Sequence, residues 1–206
     1  MRAAAATIAL VLIASTFAAC TTTRVNPEGQ VTDFRRLSGA EWTAFANEMV
    51  NSLAMSGIID DFPTDDTGRV IVAIGDFRNQ TDNHYFTRDR QLMYNRIEDA
   101  MVRSRRVGIN RDVAGTGGTR DALLRDIQDL MNSPDYDPET MQLGSGAPIP
   151  SLILTGQIVA ITTREGRTTQ IDYQVNCELI DVRRRYAVWS DSFDLTKQRT
   201  RGLFGS

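Results

Sequence analysis

One histidine and two cysteines in 206 residues leave little material for the commoner catalytic and metal-binding constellations. His84 stands in Asp82-Asn83-His84-Tyr85 with no second ligand nearby in sequence, so a histidine-based metal site or a Ser-His-Asp triad would have to be built on that one ring. It reads as a surface or capping histidine ahead of a helix. Positive charge is not concentrated either. Lys and Arg number 23 against 26 Asp and Glu, and apart from Arg183-Arg184-Arg185 the cations are scattered, which excludes the footprint of a nucleic-acid binder. Long apolar runs are also missing: Ala3 to Ala14, interrupted only by Thr7, is too short to cross a bilayer as a helix.

The setting of that run gives it a different meaning. A short positive start at Met1-Arg2, the apolar stretch, and then Ser15-Thr16-Phe17-Ala18-Ala19-Cys20 describe a secretory leader ending in a lipoprotein cleavage box. Small side chains at Ala18 and Ala19 let a peptidase grip the extended chain, and the Cys20 thiol can then take a diacylglycerol group. Cys20 becomes the lipidated first residue of the mature chain. An ordinary leader with a chance cysteine, or an uncleaved anchor, is the alternative. Several acyl chains, at ~0.8 kcal/mol per buried methylene, hold a protein on a membrane far better than one. Thr21 follows Cys20 in place of Asp, which in resembling enteric lipoproteins favours inner-membrane retention. The periplasmic face of the outer membrane is therefore expected.

Removal of residues 1–19 leaves 187 of the 206 residues and takes away Arg2 but no acid, so the mature chain carries about -4. That length suits one domain with a core, plus a tether. Residues 20–37 contain Asn26-Pro27-Glu28-Gly29 and almost no apolar periodicity, as expected of the lipidated end and its tether. At ~3.5 Å per residue, residues 21–37 reach on the order of 60 Å when stretched. A globular domain is expected over residues 38–200 and a short tail over 201–206. With Cys20 acylated, Cys177 has no partner in its own chain; it reads as a small buried hydrophobe, with an intermolecular disulfide as the alternative.

Within the domain, Ser38 and Glu41 form a capping-box pattern ahead of Trp42, Phe45, Met49, Val50 and Leu53 on one helical face, and Gly57 stands where that helix would stop. Val70-Ile71-Val72-Ala73-Ile74 suits a central strand. Met93, Ile97, Ala100 and Met101 predict a helix over residues 87–103, and Val107-Gly108-Ile109 a brief strand. Leu123, Leu124, Ile127, Leu130 and Met131 mark a third helix. Three strands close the chain. Their clearest member alternates Ile171, Tyr173, Val175, Cys177 and Leu179 with Asp172, Gln174, Asn176 and Glu178, which implies one covered and one wet face. Glu165-Gly166-Arg167 and Arg183-Arg184-Arg185 are the hairpin turns. The expected class is α+β: a small, mostly antiparallel sheet with helices packed on one face.

Three chemical readings fail on spacing. The aspartates of Asp60-Asp61-Phe62-Pro63-Thr64-Asp65-Asp66 lack the alternation and distal Glu of a calcium loop. Gly115-Thr116-Gly117-Gly118-Thr119 lacks the Gly-Lys-Ser/Thr ending of a phosphate loop. Asp172 and Glu178 share a strand face but lie roughly 20 Å apart, too wide for a glycosidase pair. Glu178 and Asp194 would meet only in one hairpin register. No enzyme, metal or cofactor site is expected.

Three blocks carry a resemblance. Val70-Ile71-Val72-Ala73-Ile74-Gly75-Asp76-Phe77-Arg78-Asn79-Gln80-Thr81 resembles the strand and Asn-x-Thr turn of LpoB-type penicillin-binding protein activators. Ser151-Leu152-Ile153-Leu154-Thr155-Gly156-Gln157-Ile158 is similar to that family's Leu-Thr-Gly-x-Ile strand, and Tyr173 through Asp181 with Val188-Trp189-Ser190 is similar to its closing hairpin. The resemblance covers most of residues 38–197. It implies a fold like the TolB N-terminal and CsgG-like domains. It also implies a non-enzymatic outer-membrane lipoprotein that stimulates a class A penicillin-binding protein. Where the family usually carries a glycine before the tryptophan strand, this chain has Arg183-Arg184-Arg185, which reads as a solvated tip or a contact for an acidic partner patch. Asn79 and Thr81 read first as a side-chain-stabilised turn and second as a partner contact. A structural or assembly lipoprotein of a CsgG-like complex is the runner-up, and a small ligand-binding protein or enzyme the third reading.

Overall fold

The computed structural model describes residues 34–82, 85–113 and 118–200. The expected leader over 1–19, Cys20, His84, Gly115 to Gly117 and the expected tail over 201–206 lie outside them. The first helix, α1 (Gly39–Ser56), begins with reciprocal bonds: the Ser38 hydroxyl accepts from the Glu41 amide at 3.2 Å, and the Glu41 carboxylate accepts from the Ser38 amide at 2.5 Å. Gly57 ends it at φ 70°, a left-handed conformation that glycine adopts without a Cβ clash. Trp42, Phe45, Met49 and Leu53 are buried and Val50 is half-buried, so the helical stripe read from sequence is the inward face.

After a 3₁₀ turn (Ile58–Asp61) come β1 (Val70–Asn79), α2 (Tyr85–Arg103), β2 (Val107–Asn110) and α3 (Arg120–Met131). A two-residue ribbon follows, β3 (Tyr136–Asp137) with β4 (Gln142–Leu143), and then three long strands: β5 (Leu152–Glu165), β6 (Thr168–Asp181) and β7 (Ala187–Thr200). The sheet order is β2-β1-β5-β6-β7. β1 runs parallel to β2 and β5, whereas β5, β6 and β7 form an antiparallel meander that supplies most of the residue pairs. The fold is α+β with a mostly antiparallel sheet.

α1 and α2 pack on one face, over Val70, Val72, Ile74, Leu152, Leu154, Tyr173, Val175, Cys177 and Leu179. α3 adds cover on the other face, where Leu123 and Ile127 meet Ala73, Ile153 and Ile180. The arrangement expected from sequence, helices on one face, describes α1 and α2. The third is required because β1 and the start of β5 are continuous apolar runs, with both faces to bury. Further along the meander the second face is polar and needs no helix.

Two of the resembling blocks meet at one contact. Phe77 lies in register with Gly156, and a Cβ added to Gly156 would sit 2.4 Å from the Asn176 carbonyl oxygen and 2.7 Å from the Phe77 ring. Glycine is there because an aromatic ring covers the strand. The Phe77 amide donates to the Tyr94 hydroxyl at 3.2 Å, and the two rings pack edge to face, tying β1 to α2. Cys177 is fully buried among these groups as a free thiol. Burial, with Asp191 and Glu178 adding repulsion, pushes its ionisation far above the ordinary range, so it behaves as a small hydrophobe.

Residues 34–37, read from sequence as the end of the tether, lie against the sheet. The Tyr173 hydroxyl donates to the Arg35 carbonyl at 3.1 Å, Lys197 Nζ donates to the Arg36 carbonyl at 2.5 Å, and Leu37 is buried.

Candidate partner-binding surface

The arginine turn is built on Asp181. Its buried carboxylate accepts from the amides of Arg183 (2.8 Å) and Arg184 (2.9 Å), and the Arg185 amide donates to the Asp181 carbonyl at 2.7 Å. An aspartate fixing the backbone two and three residues on is the usual Asx-type turn, and Asp181-Val182-Arg183 carries that signal in sequence. The three arginines are not equivalent. Arg183 Nη2 donates to the Pro138 carbonyl (2.9 Å) and the Tyr136 hydroxyl (3.2 Å), so it braces the β3–β4 ribbon against the hairpin. The Arg184 side chain lies 3.7 Å from the Asp181 carboxylate and is mostly exposed. Arg185 takes φ 62°, the left-handed region where glycine is at home, and its side chain is exposed. Beside this tip, Ile58, Asp61, Phe62, Pro63 and Val188 help to line a cleft of about 310 Å³.

At the start of the Asn79–Thr81 turn, Asn79 Oδ1 accepts from the Thr81 amide (3.0 Å) and the Thr81 hydroxyl (2.7 Å). Thr81 reaches the rim of a second cleft at the opposite end of the meander, of about 370 Å³. Arg35, Arg164, Arg167 and Arg199 line it. These four are scattered in sequence and converge only through strand register, so composition alone hid them.

Between the two ends lies the wet face of β6 and β7. Asp172 accepts from the Thr196 hydroxyl (2.6 Å) and the Gln170 amide (2.9 Å), and these bonds hold its carboxyl below the usual range. Asp194 stands opposite Gln174 and accepts its amide at 3.1 Å, while Glu178 stands opposite Ser190; the register therefore keeps Glu178 and Asp194 apart. In the acidic loop, Asp65 accepts from the Thr67 and Arg69 amides, and Asp60 pairs with Arg106. Among the described residues no group of three or more His, Cys, Asp or Glu side chains could hold a metal ion.

Exposed guanidinium groups therefore stand at both ends of the antiparallel meander. Residues 41–194 match the family of peptidoglycan-synthase activator LpoB, and the chain belongs to that family. Its members are activators of peptidoglycan synthesis and envelope lipoproteins. Among solved structures, the chain is similar to the LpoB C-terminal domain of Escherichia coli at 12% identity and a TM-score of 0.35, over 75% of this chain and 98% of that one. A PelC dodecamer from Paraburkholderia phytofirmans matches at 18% identity and a TM-score of 0.34, over 69% of this chain and 83% of that one. A Neisseria meningitidis lipoprotein matches at 9% and 0.37, over 63% and 83%. These structural likenesses are low, and the family match stands without them. No curated protein matches the chain.

Proposed function

We propose that this chain is a non-enzymatic lipoprotein, anchored through Cys20 on the periplasmic face of the outer membrane, whose domain binds a class A penicillin-binding protein and stimulates its glycan-polymerising and crosslinking activities. The family match over residues 41–194 carries this reading. It is supported by the exposed basic tip at Arg184 and Arg185, and by a sequence whose first twenty residues read as a leader ending in a lipid-accepting cysteine. Arg184 and Arg185 are the contacts offered to an acidic patch on the synthase. Arg183 holds the tip in shape behind them.

A soluble form starting at Thr21 should bind a class A synthase of the same organism and raise its rate of glycan synthesis. No binding and no rate change across that organism's class A synthases would remove the reading. Lipidation has its own measurement: Cys20→Ala should trap the precursor or release the protein from membranes, and unchanged processing and membrane association would contradict the anchor.

A further inference from the structure

The arginine cleft at the far end of the meander has no part in the tip contact just described. Its geometry follows from register. Arg164 pairs with Thr169, and Thr169 with Arg199, so the three stand in one row across β5, β6 and β7, on the face that α1 and α2 cover further along. Arg167 sits in the two-residue turn between β5 and β6, next to Gly166 at φ 54°. The side chains of Arg164, Arg167 and Arg199 are exposed and make no hydrogen bond or ion pair with the described residues. Two nearby cations are already engaged: Lys197 with Glu41 at 2.9 Å, and Arg36 with Asp89 at 2.5 Å. Asp82 lines the cleft and Glu165 lies beside it, which leaves the end net positive within an acidic chain.

The direction of the chain selects the ligand. Phe34 and Arg35 line this same cleft, so the tether to Cys20 leaves the domain here. Residues 21–33 reach at most about 45 Å at ~3.5 Å each. We propose that the cleft binds the phosphate of an anionic phospholipid headgroup in the membrane that holds Cys20. The proposal rests on the Cys20 anchor. Guanidinium forks match phosphate oxygens in bidentate fashion, and threonine hydroxyls at Thr162 and Thr169 can supply further donors at the cleft wall. The tether raises the effective concentration of headgroups at this end, so a weak site suffices. An acidic protein segment would satisfy the same guanidiniums, but it would have to enter between the domain and the surface to which the domain is tied. Docked this way, the domain turns its Arg183–Arg185 tip away from the membrane.

The test uses the whole mature chain carrying Cys20→Ser, so that acyl chains contribute nothing and a failed anchor assignment cannot be mistaken for a failed cleft. It should sediment with vesicles of phosphatidylcholine containing phosphatidylglycerol, not with phosphatidylcholine alone, and should dissociate as salt is raised. R164Q/R167Q/R199Q should weaken that binding roughly a hundredfold, about fivefold per cation, with an unchanged circular dichroism spectrum and unchanged stimulation of the synthase. R184Q/R185Q should bind vesicles as the parent does. Equal binding to neutral vesicles would overturn the proposal, as would a triple variant that binds like the parent. Thermal stabilisation by inorganic phosphate that matches the effect of vesicles would make the cleft a free-phosphate site instead. A triple variant that loses the synthase while the parent ignores vesicles would assign the cleft to an acidic protein surface.

Discussion

Ile153 and Ile161 are the same residue type on the same strand and the same face of the sheet, eight positions apart. Ile153 is 0% exposed beneath α3, whereas Ile161 is 65% exposed. The difference separates two regions of one sheet: a parallel part wrapped on both faces, and an antiparallel part wrapped on one. The first part buries side chains on both faces, and the second leaves one face exposed. Ile153→Ala should cost about 3–4 kcal/mol in urea unfolding, because it removes buried methyl groups and leaves a cavity between β5 and α3. Ile161→Ala should change stability by no more than about 0.5 kcal/mol. Equal costs at the two sites would break the division.

Gly156 marks the point where one region passes into the other. Gly156→Ala drives a methyl group against the Asn176 carbonyl and the Phe77 ring, and a strand backbone cannot step aside cheaply. A loss of about 2–3 kcal/mol is expected. Tyr94→Phe probes the same junction more gently. It removes the acceptor of the buried Phe77 amide and should cost about 1–2 kcal/mol. Burial also raises the ionisation of the Tyr94 phenol above its ordinary value, with the Phe77 amide bond opposing the shift, so this hydroxyl stays neutral at physiological pH. A Tyr94→Phe variant as stable as the parent would mean that the bonded hydroxyl does not support the junction.

The same division explains what could be read from the sequence. In the antiparallel region the period-two pattern of Ile171 to Leu179 reports one buried face directly, and the capping box at Ser38 and Glu41 reports a helix start, since both signals act over a few residues. The second core was harder. Val70 to Ile74 shows that a strand is buried on both faces, but not that α3 is the element that buries the other one. Of the surface features, the consecutive Arg183-Arg184-Arg185 turn was visible, though its split into one bracing and two outward side chains depends on Tyr136 and Pro138, more than forty residues away. The far cleft was invisible. Arg164 and Arg199 become neighbours only because β6 places Thr169 between them.

The arginine tip allows stability and recognition to be separated within three residues. Arg183→Ala should cost about 1 kcal/mol, because the Pro138 carbonyl and Tyr136 hydroxyl lose their donor and the ribbon loosens. Arg185→Gly should do the opposite, stabilising by up to about 1 kcal/mol, since glycine holds φ 62° without the strain that an L side chain suffers there. The variant therefore tests whether the arginine is kept for its charge. If Arg185 contacts the synthase, Arg185→Gly gives a more stable protein that stimulates glycan synthesis less, and the stimulation weakens further when Arg184→Gln is added. A variant that is both more stable and fully active would leave Arg185 as an exposed side chain with no part in recognition.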